Sequence, residues 1–254
     1  MKLLIWLLKK SEMLSALSIR LVYITGKSKV PIHPKHLIRK DSDIWYKNLL
    51  SKNKIILDVG CGSGQHGLAV ASKVKKVIGL DHDQSSLRIA QQDAQNRKIH
   101  NFYPVVVDLE KKIPLKNNLV DIAIMFDVLE HIAKRQLFLS EIKRILKKNG
   151  SILVAIPNTE TSWKKLLRKN GFFSYSDPDH KIEYTKNSII KELTKAGFKI
   201  NEIQLSSYDT PWVGFIDLVG GISLPLYKKL SKWKKEMLKK NPENTTGFQI
   251  IAIK

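Results

Sequence analysis

The chain has 254 residues, of which 43% are hydrophobic, so it can bury a sizeable core and is not of disordered composition. Its 44 Lys and Arg residues against 23 Asp and Glu give a formal net charge of +21, which favours acidic partners such as nucleic acid or anionic lipid. The single cysteine excludes an internal disulfide and predicts a reducing, cytoplasmic compartment.

Residues 1–44 are predicted to form an N-terminal helical cap. An apolar run at 3–8 ends at two lysines, which makes it too short to span a bilayer. The run also lacks the small-residue cleavage pattern of a signal peptide. It is more typical of an amphipathic helix that packs on the protein or lies on a membrane surface.

From residue 45 onward, strand-like and helix-like segments alternate. A short helix is predicted at 45–50, ahead of the core. The predicted strands are 55–59, 76–80, 102–107, 120–126 and 151–156, and the helices between them are 67–75, 85–96 and 133–146. This alternation indicates an α/β fold with a doubly wound parallel sheet. A helix at 185–196 and a strand at 198–205 complete a predicted core domain of residues 45–206.

Residues 207–246 are predicted to be a cap insertion before the final core strand at 247–254. The insertion is first apolar and aromatic and then, from 228 to 240, rich in lysine. Such an apolar patch with a basic border fits an interfacial segment, a greasy acceptor or a helical lid. Several aromatic residues either wall an acceptor pocket or form the core of a small cap: Trp163, Phe172, Phe173, Tyr175, Tyr208, Trp212 and Phe215.

A glycine-rich loop follows the first core strand. Such a loop between a strand and a helix presents backbone N–H groups and a helix N-terminus to a ligand. A dinucleotide-binding loop requires G-x-G-x-x-G from the strand end, but the sixth position counted from Gly60 is Gln65. The G-K-[ST] of a phosphate-binding loop is absent. The register therefore disfavours an NAD oxidoreductase and favours a ligand without phosphate.

Three acidic residues lie at or near the ends of successive strands around this loop. Asp58 suits a cationic ligand group, Asp81 can accept both ribose hydroxyls, and Asp108 can accept from an exocyclic adenine amine. S-adenosyl-L-methionine (SAM) carries a sulfonium, an amino group and no phosphate. The set therefore predicts SAM as the cofactor.

Five segments resemble, in order, the motifs of class I SAM-dependent methyltransferases (type 11-like): LDVGCGSG (57–64), VIGLDHD (77–83), VVVDLEKKIPL (105–115), VDIAIMFDVLEHI (120–132) and LKKNGSILVAIPN (146–158). The resemblance covers roughly residues 45–205. It implies a Rossmann-like, seven-stranded sheet whose last strand is antiparallel. The predicted cofactor-binding residues are Asp58, Gly60, Cys61, Gly62, Gly64, Asp81, His82, Asp108, Leu109 and Phe126, where the resemblance assigns the three glycines to the methionine part, Asp81 to the ribose, and Asp108 and Leu109 to the adenine.

Asp127, Glu130 and His131 follow the fourth strand and are the predicted catalytic residues. If they open a helix, the spacing i, i+3, i+4 places both carboxylates and the imidazole on one face. A hydroxyl nucleophile needs help to lose its proton, and His131 is a candidate general base.

Together with His180, these three residues resemble the E-x-x-E-H…H metal site of O-methyltransferases that act on ubiquinone-precursor catechols and on small-RNA 3′ ends. Asp127 replaces the first Glu of that pattern. The resemblance implies that Mg²⁺ or another divalent metal acidifies the acceptor hydroxyl. An E-H pair also occurs at this place in relatives without metal, so both readings stay open.

These observations predict a SAM-dependent methyltransferase that acts on a hydroxyl of a small molecule or glycan, with a lipid-linked acceptor as a further option. One alternative is RNA ribose methylation, because of the charge and the vicinal diol of a 3′ ribose. Nucleic acid is not favoured, since the lysines are spread along the chain without interleaved aromatics. A non-catalytic binding protein on the same fold and peripheral membrane contact are the other options, and the oligomeric state is not predicted.

Overall fold

A seven-stranded sheet organises the structure, a computed structural model that describes residues 1–38 and 44–254. The strands are β1 (Ile55–Val59), β2 (Lys76–Asp81), β3 (Phe102–Val106), β4 (Val120–Phe126), β5 (Leu146–Pro157), β6 (Lys199–Leu205) and β7 (Gly247–Ile253). Their order across the sheet is β3-β2-β1-β4-β5-β7-β6. Strand β1 pairs in parallel with both β2 and β4, so the order reverses there and the carboxyl end of β1 is the topological switch point, where open α/β sheets bind ligands.

The last strand runs against its neighbour. The Asn158 N–H just after β5 donates to the Thr246 carbonyl just before β7, and the Lys254 N–H after β7 donates to the Gly150 carbonyl near the start of β5. Contacts that pair the end of one strand with the start of the other require an antiparallel arrangement. The predicted seven-stranded Rossmann-like sheet with an antiparallel last strand is confirmed.

The helices of the described residues are α1 (Lys2–Ser11), α2 (Leu14–Ile24), α3 (Pro34–Ile38), α4 (Gln65–Val70), α5 (Gln84–Asn96), α6 (Arg135–Ile145), α7 (Ser162–Lys169), α8 (Lys186–Lys195), α9 (Val213–Ile222) and α10 (Leu224–Lys240). Local signals explain several of their ends. The Asp83 carboxylate caps α5 by accepting from the Ser85 and Ser86 N–H groups. Thr185 and Ser188 form a reciprocal capping box at the start of α8.

The middle strands are buried on both faces. In β4, the consecutive residues Ile122, Ala123, Ile124 and Met125 all have almost no exposed surface. Successive strand side chains point to opposite faces, so a buried run means that both faces are covered. This is why the central strands read as continuous apolar segments instead of alternating ones.

Two compact units make up the described chain. The sheet unit contains Trp45–Pro157, Asp177–Gln204 and Phe248–Lys254, and the helical unit contains residues 1–38 and 44, Asn158–Ser176 and Leu205–Gly247. The division predicted from the sequence had assigned 158–176 to the core, whereas these residues group with the helical unit. The end of the predicted N-terminal cap, 39–43, lies outside the described residues.

Most predicted elements are present, with four differences. Helix α4 begins two residues earlier than predicted and stops at Val70, and the helix predicted at 45–50 is a single 3₁₀ turn over Lys47–Leu49. Helix α7 was not predicted. Strand β5 starts well before the predicted 151, because Asn149 adopts a left-handed conformation and an irregularity in the pairing with β4 absorbs it.

Within the described parts of the chain, no helix combines the length and the apolar character needed to cross a membrane. The cytoplasmic location stays a prediction.

Candidate functional site

The glycine loop after β1 has a backbone that glycine alone adopts without strain. Gly60, Gly62 and Gly64 have φ angles of 63°, 49° and 79°. A Cβ on Gly60 would lie 2.5 Å from Cγ2 of Val128, so the loop packs directly against the turn that follows β4. Beside Gly62, no protein atom lies within 4 Å of the position that a Cβ would take. The loop is therefore open at Gly62 and closed against Val128 at Gly60.

Two of the predicted carboxylates hold the loop in place. Oδ2 of Asp58, which is buried, accepts from the Gly67 N–H at 2.7 Å. Oδ2 of Asp81 accepts from the Gly62 N–H at 2.7 Å, while its Oδ1 accepts from the Asp83 N–H at 2.9 Å. Asp81 thus joins the glycine loop to the turn before α5. Ligand contacts of both carboxylates stay predictions, and the structure adds this bracing role.

The third predicted acid lies in an exposed loop after β3. Asp108 accepts from the Glu110 N–H and pairs with Lys111, and the hydrogen bond to Glu110 is the main reason why the pKa of its carboxyl lies below the ordinary value. Its ionised form can accept from an amine. Leu109 is half-buried. Glu110 accepts from the Ala133 N–H at 2.7 Å, which ties this loop to the segment that follows His131.

Two further predicted cofactor residues differ in exposure: Cys61 is buried and His82 is exposed. Cys61 is buried, its N–H donates to the Leu80 carbonyl, and burial raises the pKa of its thiol well above the usual range. A buried thiol of raised pKa is a poor nucleophile, so Cys61 fits a packing role in the turn. The side chain of His82 is largely exposed, and its Nδ1 lies 3.5 Å from Oδ1 of Asp81.

An aromatic cluster surrounds the end of β4. The ring of Phe126 lies 4.8 Å from that of His66 in an edge-to-face geometry, 5.7 Å from Tyr46 and 5.8 Å from Trp45. No sequence pattern connects Trp45 and His66 with Phe126, because Trp45 precedes β1 and His66 lies in the first turn of α4. The cluster fixes Phe126 beside the glycine loop.

Asp127 does not open a helix, so the condition for placing the three predicted catalytic side chains on one helix face is not met. Asp127 is exposed and left-handed, with φ 57°, and its N–H donates to the Ala155 carbonyl of β5. Only a 3₁₀ turn, Leu129–His131, follows. The side chain of Glu130 is fully buried, so the three predicted catalytic side chains do not share one helix face. A left-handed non-glycine residue is strained, and such residues cluster at functional turns.

His131, Glu130 and His180 nevertheless come together. The His131 and His180 rings lie 4.6 Å apart, nearly perpendicular. His180 is enclosed by two carboxylates: its Nδ1 lies 3.1 Å from Oε1 of Glu183 and its Nε2 lies 4.0 Å from Oε1 of Glu130. The Lys181 N–H also donates to the Glu130 carbonyl. Glu183 was not singled out in the sequence, although its place three residues after His180 in a polar run was the available signal.

The four predicted metal ligands are not arranged as a metal site. Asp127 is exposed on the strained turn while Glu130 is buried, and Nδ1 of His180 is already engaged by Glu183. Among residues 1–38 and 44–254, no group of three or more His, Cys, Asp or Glu side chains could hold a metal ion. The structure therefore does not support the Mg²⁺ prediction.

The environment of His131 favours its neutral form. Partial burial lowers the pKa of its imidazole, the neighbouring His180 lowers it further, and Asp177, Asp127 and Asp179 partly offset both effects. An imidazole with a lowered pKa is unprotonated at neutral pH and can accept a proton.

A polar network of Tyr184, Glu192 and Arg135 anchors the segments that carry His131 and His180. The Tyr184 hydroxyl donates to Oε2 of Glu192 in α8 at 3.0 Å, and Nε of Arg135 at the start of α6 donates to Oε1 of the same carboxylate at 3.1 Å. Arg135 also donates to the Ile132 carbonyl. The segments on both sides of the two histidines are thereby anchored to α6 and α8.

The carboxylates around the glycine loop match the groups that SAM carries. Carboxylates at the ends of β1 and β2 and a further one after β3 suit the cationic and hydroxyl groups of SAM and would repel phosphate. Open space beside Gly62 and free lone pairs on Asp81 leave room for hydrogen bonds from a ligand.

Five of the seven aromatic residues named from the sequence fall into two groups. Trp163 and Phe172 pack with Ile5, Leu8 and Leu167 in a small apolar core, as one of the two readings of the sequence had it. The other group remains exposed: Phe173, Trp212 and Phe215.

The family model described as "Methyltransferase domain" matches residues 50–204. This is more than half of the chain, and it contains the glycine loop, Asp81, Asp108 and the His131 cluster.

Curated relatives agree with this match. A probable S-adenosylmethionine-dependent methyltransferase of Mycolicibacterium smegmatis is 25% identical over 182 residues, which are 70% of this chain and 66% of that protein. A ubiquinone biosynthesis O-methyltransferase of Rickettsia akari is 28% identical over 186 residues, which are 70% of this chain and 71% of that protein. The chain thus spans about two thirds of the length of these relatives.

Solved structures show the same fold. The crystal structure of the [4+2]-cyclase SpnF has a TM-score of 0.60 at 23% identity and covers 81% of this chain and 77% of its own. A SAM-dependent methyltransferase from Aquifex aeolicus has a TM-score of 0.56 at 17% identity and covers 84% and 89%. At these identities the likeness concerns the fold alone.

Proposed function

The chain belongs to the family of class I SAM-dependent methyltransferases, and from this premise we propose that it methylates a hydroxyl oxygen of a small molecule or glycan. The observation that carries the proposal is His131: a half-buried imidazole of lowered pKa on the turn whose Val128 packs against Gly60 of the cofactor loop. A hydroxyl acceptor requires such a base, because its own pKa lies far above neutral.

When bound, SAM supplies a methyl group made electrophilic by the positively charged sulfur. The glycine loop is assigned to its methionine part, Asp81 to its ribose, and Asp108 with Leu109 to its adenine. The acceptor oxygen forms a bond to the methyl carbon as the sulfur–carbon bond breaks. His131 takes the hydroxyl proton and becomes an imidazolium, and S-adenosylhomocysteine and the methyl ether are the products.

His180 is the positioning residue of this proposal. Glu183 at its Nδ1 and Glu130 near its Nε2 fix the ring, whose perpendicular contact in turn holds the ring of His131. Holding a base within a narrow range of orientations is how a site aligns proton transfer with bond formation.

The names of relatives support oxygen as the acceptor atom. The Rickettsia relative is called an O-methyltransferase of ubiquinone biosynthesis, which is why a phenolic or catechol hydroxyl is the first acceptor to test. The identity of 28% leaves the acceptor of this chain a proposal.

The test is product formation by the wild type and by His131→Gln, measured as S-adenosylhomocysteine release and by mass spectrometry of the acceptor. We expect kcat to fall about 10²- to 10⁴-fold in the variant, the usual contribution of a general base, with unchanged affinity for S-adenosylhomocysteine. His100→Gln is the control, because His100 is exposed in the same unit. Equal rates for wild type and His131→Gln on every hydroxyl acceptor would contradict the proposal.

The same assay includes RNA with a free 3′ end. Methylated ribose together with a steep loss of RNA affinity on added salt would replace the small-molecule acceptor by RNA. Methylation of phenols or glycans with RNA left unmodified supports the proposal as stated.

A further inference from the structure

Exposed apolar side chains are concentrated in the helical unit. Among the described residues, 16 of the 19 large hydrophobic side chains that are exposed belong to this unit, and only Tyr103, Val106 and Leu137 belong to the sheet unit. Single exposed apolar residues are ordinary, whereas a group on one small unit marks an interaction surface.

Helix α1 is apolar on two opposite sides. Ile5 is buried and, with Leu8, packs against Trp163 and Leu167 of α7. The side away from this core carries Leu3, Leu4, Trp6 and Leu7, with Leu3 69% and Leu7 52% exposed. A surface helix of a folded protein in water normally presents polar residues on its outer side. The outer side of α1 therefore lacks the covering that its composition requires.

The pair formed by α2 and α9 extends this surface. A Cβ on Gly214 would meet the Ser11 carbonyl, just before α2, and a Cβ on Gly221 would meet Ser18 in α2, so the two chain segments run side by side in the same direction. Close approach through glycines leaves their larger apolar residues at the outer ends and flanks: Met13, Leu17, Tyr23, Ile24, Trp212, Phe215 and Ile222 are all exposed. We call these residues, together with those on the outer side of α1, the apolar face.

The same unit is strongly basic. Helix α10 carries seven lysines against one glutamate, and most of these lysines are exposed, as are Leu226 and Trp233 between them. Lys9 and Lys10 lie in the last turn of α1. Exposed leucine and tryptophan interleaved with lysine are typical of segments that lie in a lipid headgroup layer, where apolar side chains enter the acyl boundary and lysines meet anionic lipids.

We propose that the apolar face of the helical unit docks on the surface of an anionic lipid bilayer. Charge complementarity decides for lipid over a second copy of the chain, because each copy carries a net charge of +21 and two copies would repel each other. Docking is peripheral, since no helix of the described residues suits a membrane span. The proposal concerns binding and is independent of the methyl acceptor.

The test is flotation of the purified full chain with vesicles of phosphatidylcholine alone and of phosphatidylcholine with about one third phosphatidylglycerol. We expect binding to the anionic vesicles that weakens as salt screens the lysines. The double variant Leu3→Gln/Leu7→Gln should partition at least about tenfold less, because two side chains lose their apolar burial in the bilayer. Leu137→Gln is the matched control, since Leu137 is 65% exposed on α6 of the sheet unit, and it should bind like the wild type.

Affinity for S-adenosylhomocysteine, measured on each variant, shows whether the cofactor site is intact, independently of vesicle binding. Three results overturn the proposal: no preference of the wild type for anionic vesicles, binding of Leu3→Gln/Leu7→Gln equal to that of the wild type, or a dimer of the wild type in sedimentation that this double variant abolishes. The third result would assign the face to a second copy of the chain.

Discussion

The sheet unit and the helical unit use the same kinds of residue in different ways. In the sheet unit, the apolar residues of β1 and β4 are enclosed by their own fold, and polar residues gather at the strand ends. In the helical unit, leucine and tryptophan lie on the outside of α1 while Asp217 is buried. The sheet unit thus encloses its apolar residues within its own core, whereas the helical unit exposes the apolar face for which we propose a lipid partner.

Asp217 is the centre of a buried polar network in the helical unit. Asp217 accepts from the Ser15 hydroxyl at 2.7 Å and from the Tyr227 hydroxyl at 3.2 Å, and Nε2 of His33 lies 3.2 Å away. Burial opposes the ionised form of Asp217, but these partners outweigh it and the pKa of its carboxyl lies below its ordinary value. This network fastens α2, α9 and α10 to one another, so its role is structural.

The largest effect that would sharpen the comparison is expected at Asp217. Asp217→Ala removes the acceptor shared by Ser15 and Tyr227 and the charge that faces His33, so the free energy of unfolding should fall by about 3–5 kcal/mol. Urea unfolding measures it, and Glu236→Gln, exposed on α10, should change it by less than about 0.5 kcal/mol. If Asp217→Ala is not folded, Asp217→Asn, which keeps one acceptor, tests the same network. A loss no larger than that of the control would contradict the assignment.

A smaller effect is expected in the sheet unit at Gly60. Gly60→Ala introduces a left-handed alanine whose Cβ meets Val128 at 2.5 Å, which should cost about 2–3 kcal/mol in affinity for S-adenosylhomocysteine and in stability together. Vesicle binding should not change. Gly26→Ala, also left-handed but with open space around its Cβ, is the control for backbone strain alone and should spare the cofactor affinity. Equal cofactor affinity of Gly60→Ala and wild type would show that the loop does not depend on this contact.

The dependence of rate on pH gives a third, smaller effect. The neutral form of His131 is the active base, so kcat/KM should rise as pH increases through the pKa of this imidazole. Burial and His180 lower that pKa, so the midpoint should lie below about 6.5 and the rate should be flat above it. This rise of kcat/KM with pH should be absent in His131→Gln. A midpoint well above 7 would mean that another group controls the rate.

The smallest expected effect is that of a chelator. Because Asp127, Glu130, His131 and His180 are not arranged as metal ligands, dialysis against EDTA should leave the methylation rate unchanged within about twofold. Recovery by Mg²⁺ of a rate lost in EDTA would restore the metal prediction and would require the turn at Asp127 to rearrange.

The central fold could be predicted from the sequence because its signals are local. The positions of β1, β4 and β7 follow from runs that are mostly apolar and rich in isoleucine and valine. The motif order then identified the family. Helix α7 escaped prediction, because it has only eight residues and its apolar side is short. Its burial against Ile5, far away in the chain, is what gives it a partner.

The sequence predicted residues of the candidate site but not how they are arranged in space. Asp127, Glu130 and His131 have the spacing of a helix face, but the left-handed turn at Asp127 depends on the neighbouring strand β5. The approach of His180 to Glu130 joins segments about fifty residues apart, which no local pattern reports. Likewise, the sequence of α1 could not say which leucines would find a core and which would stay exposed.

Calorimetric titration with S-adenosylhomocysteine, of the wild type and of Asp81→Ala, measures whether the glycine loop binds the cofactor. Asp81 joins the glycine loop to the turn before α5 and is the predicted ribose ligand, so the account predicts clear binding to the wild type and a loss of at least about 100-fold in the variant, consistent with a buried charged hydrogen-bonding group. Absence of binding to the folded wild type, or equal binding by Asp81→Ala, would contradict the assignment of this loop to the cofactor.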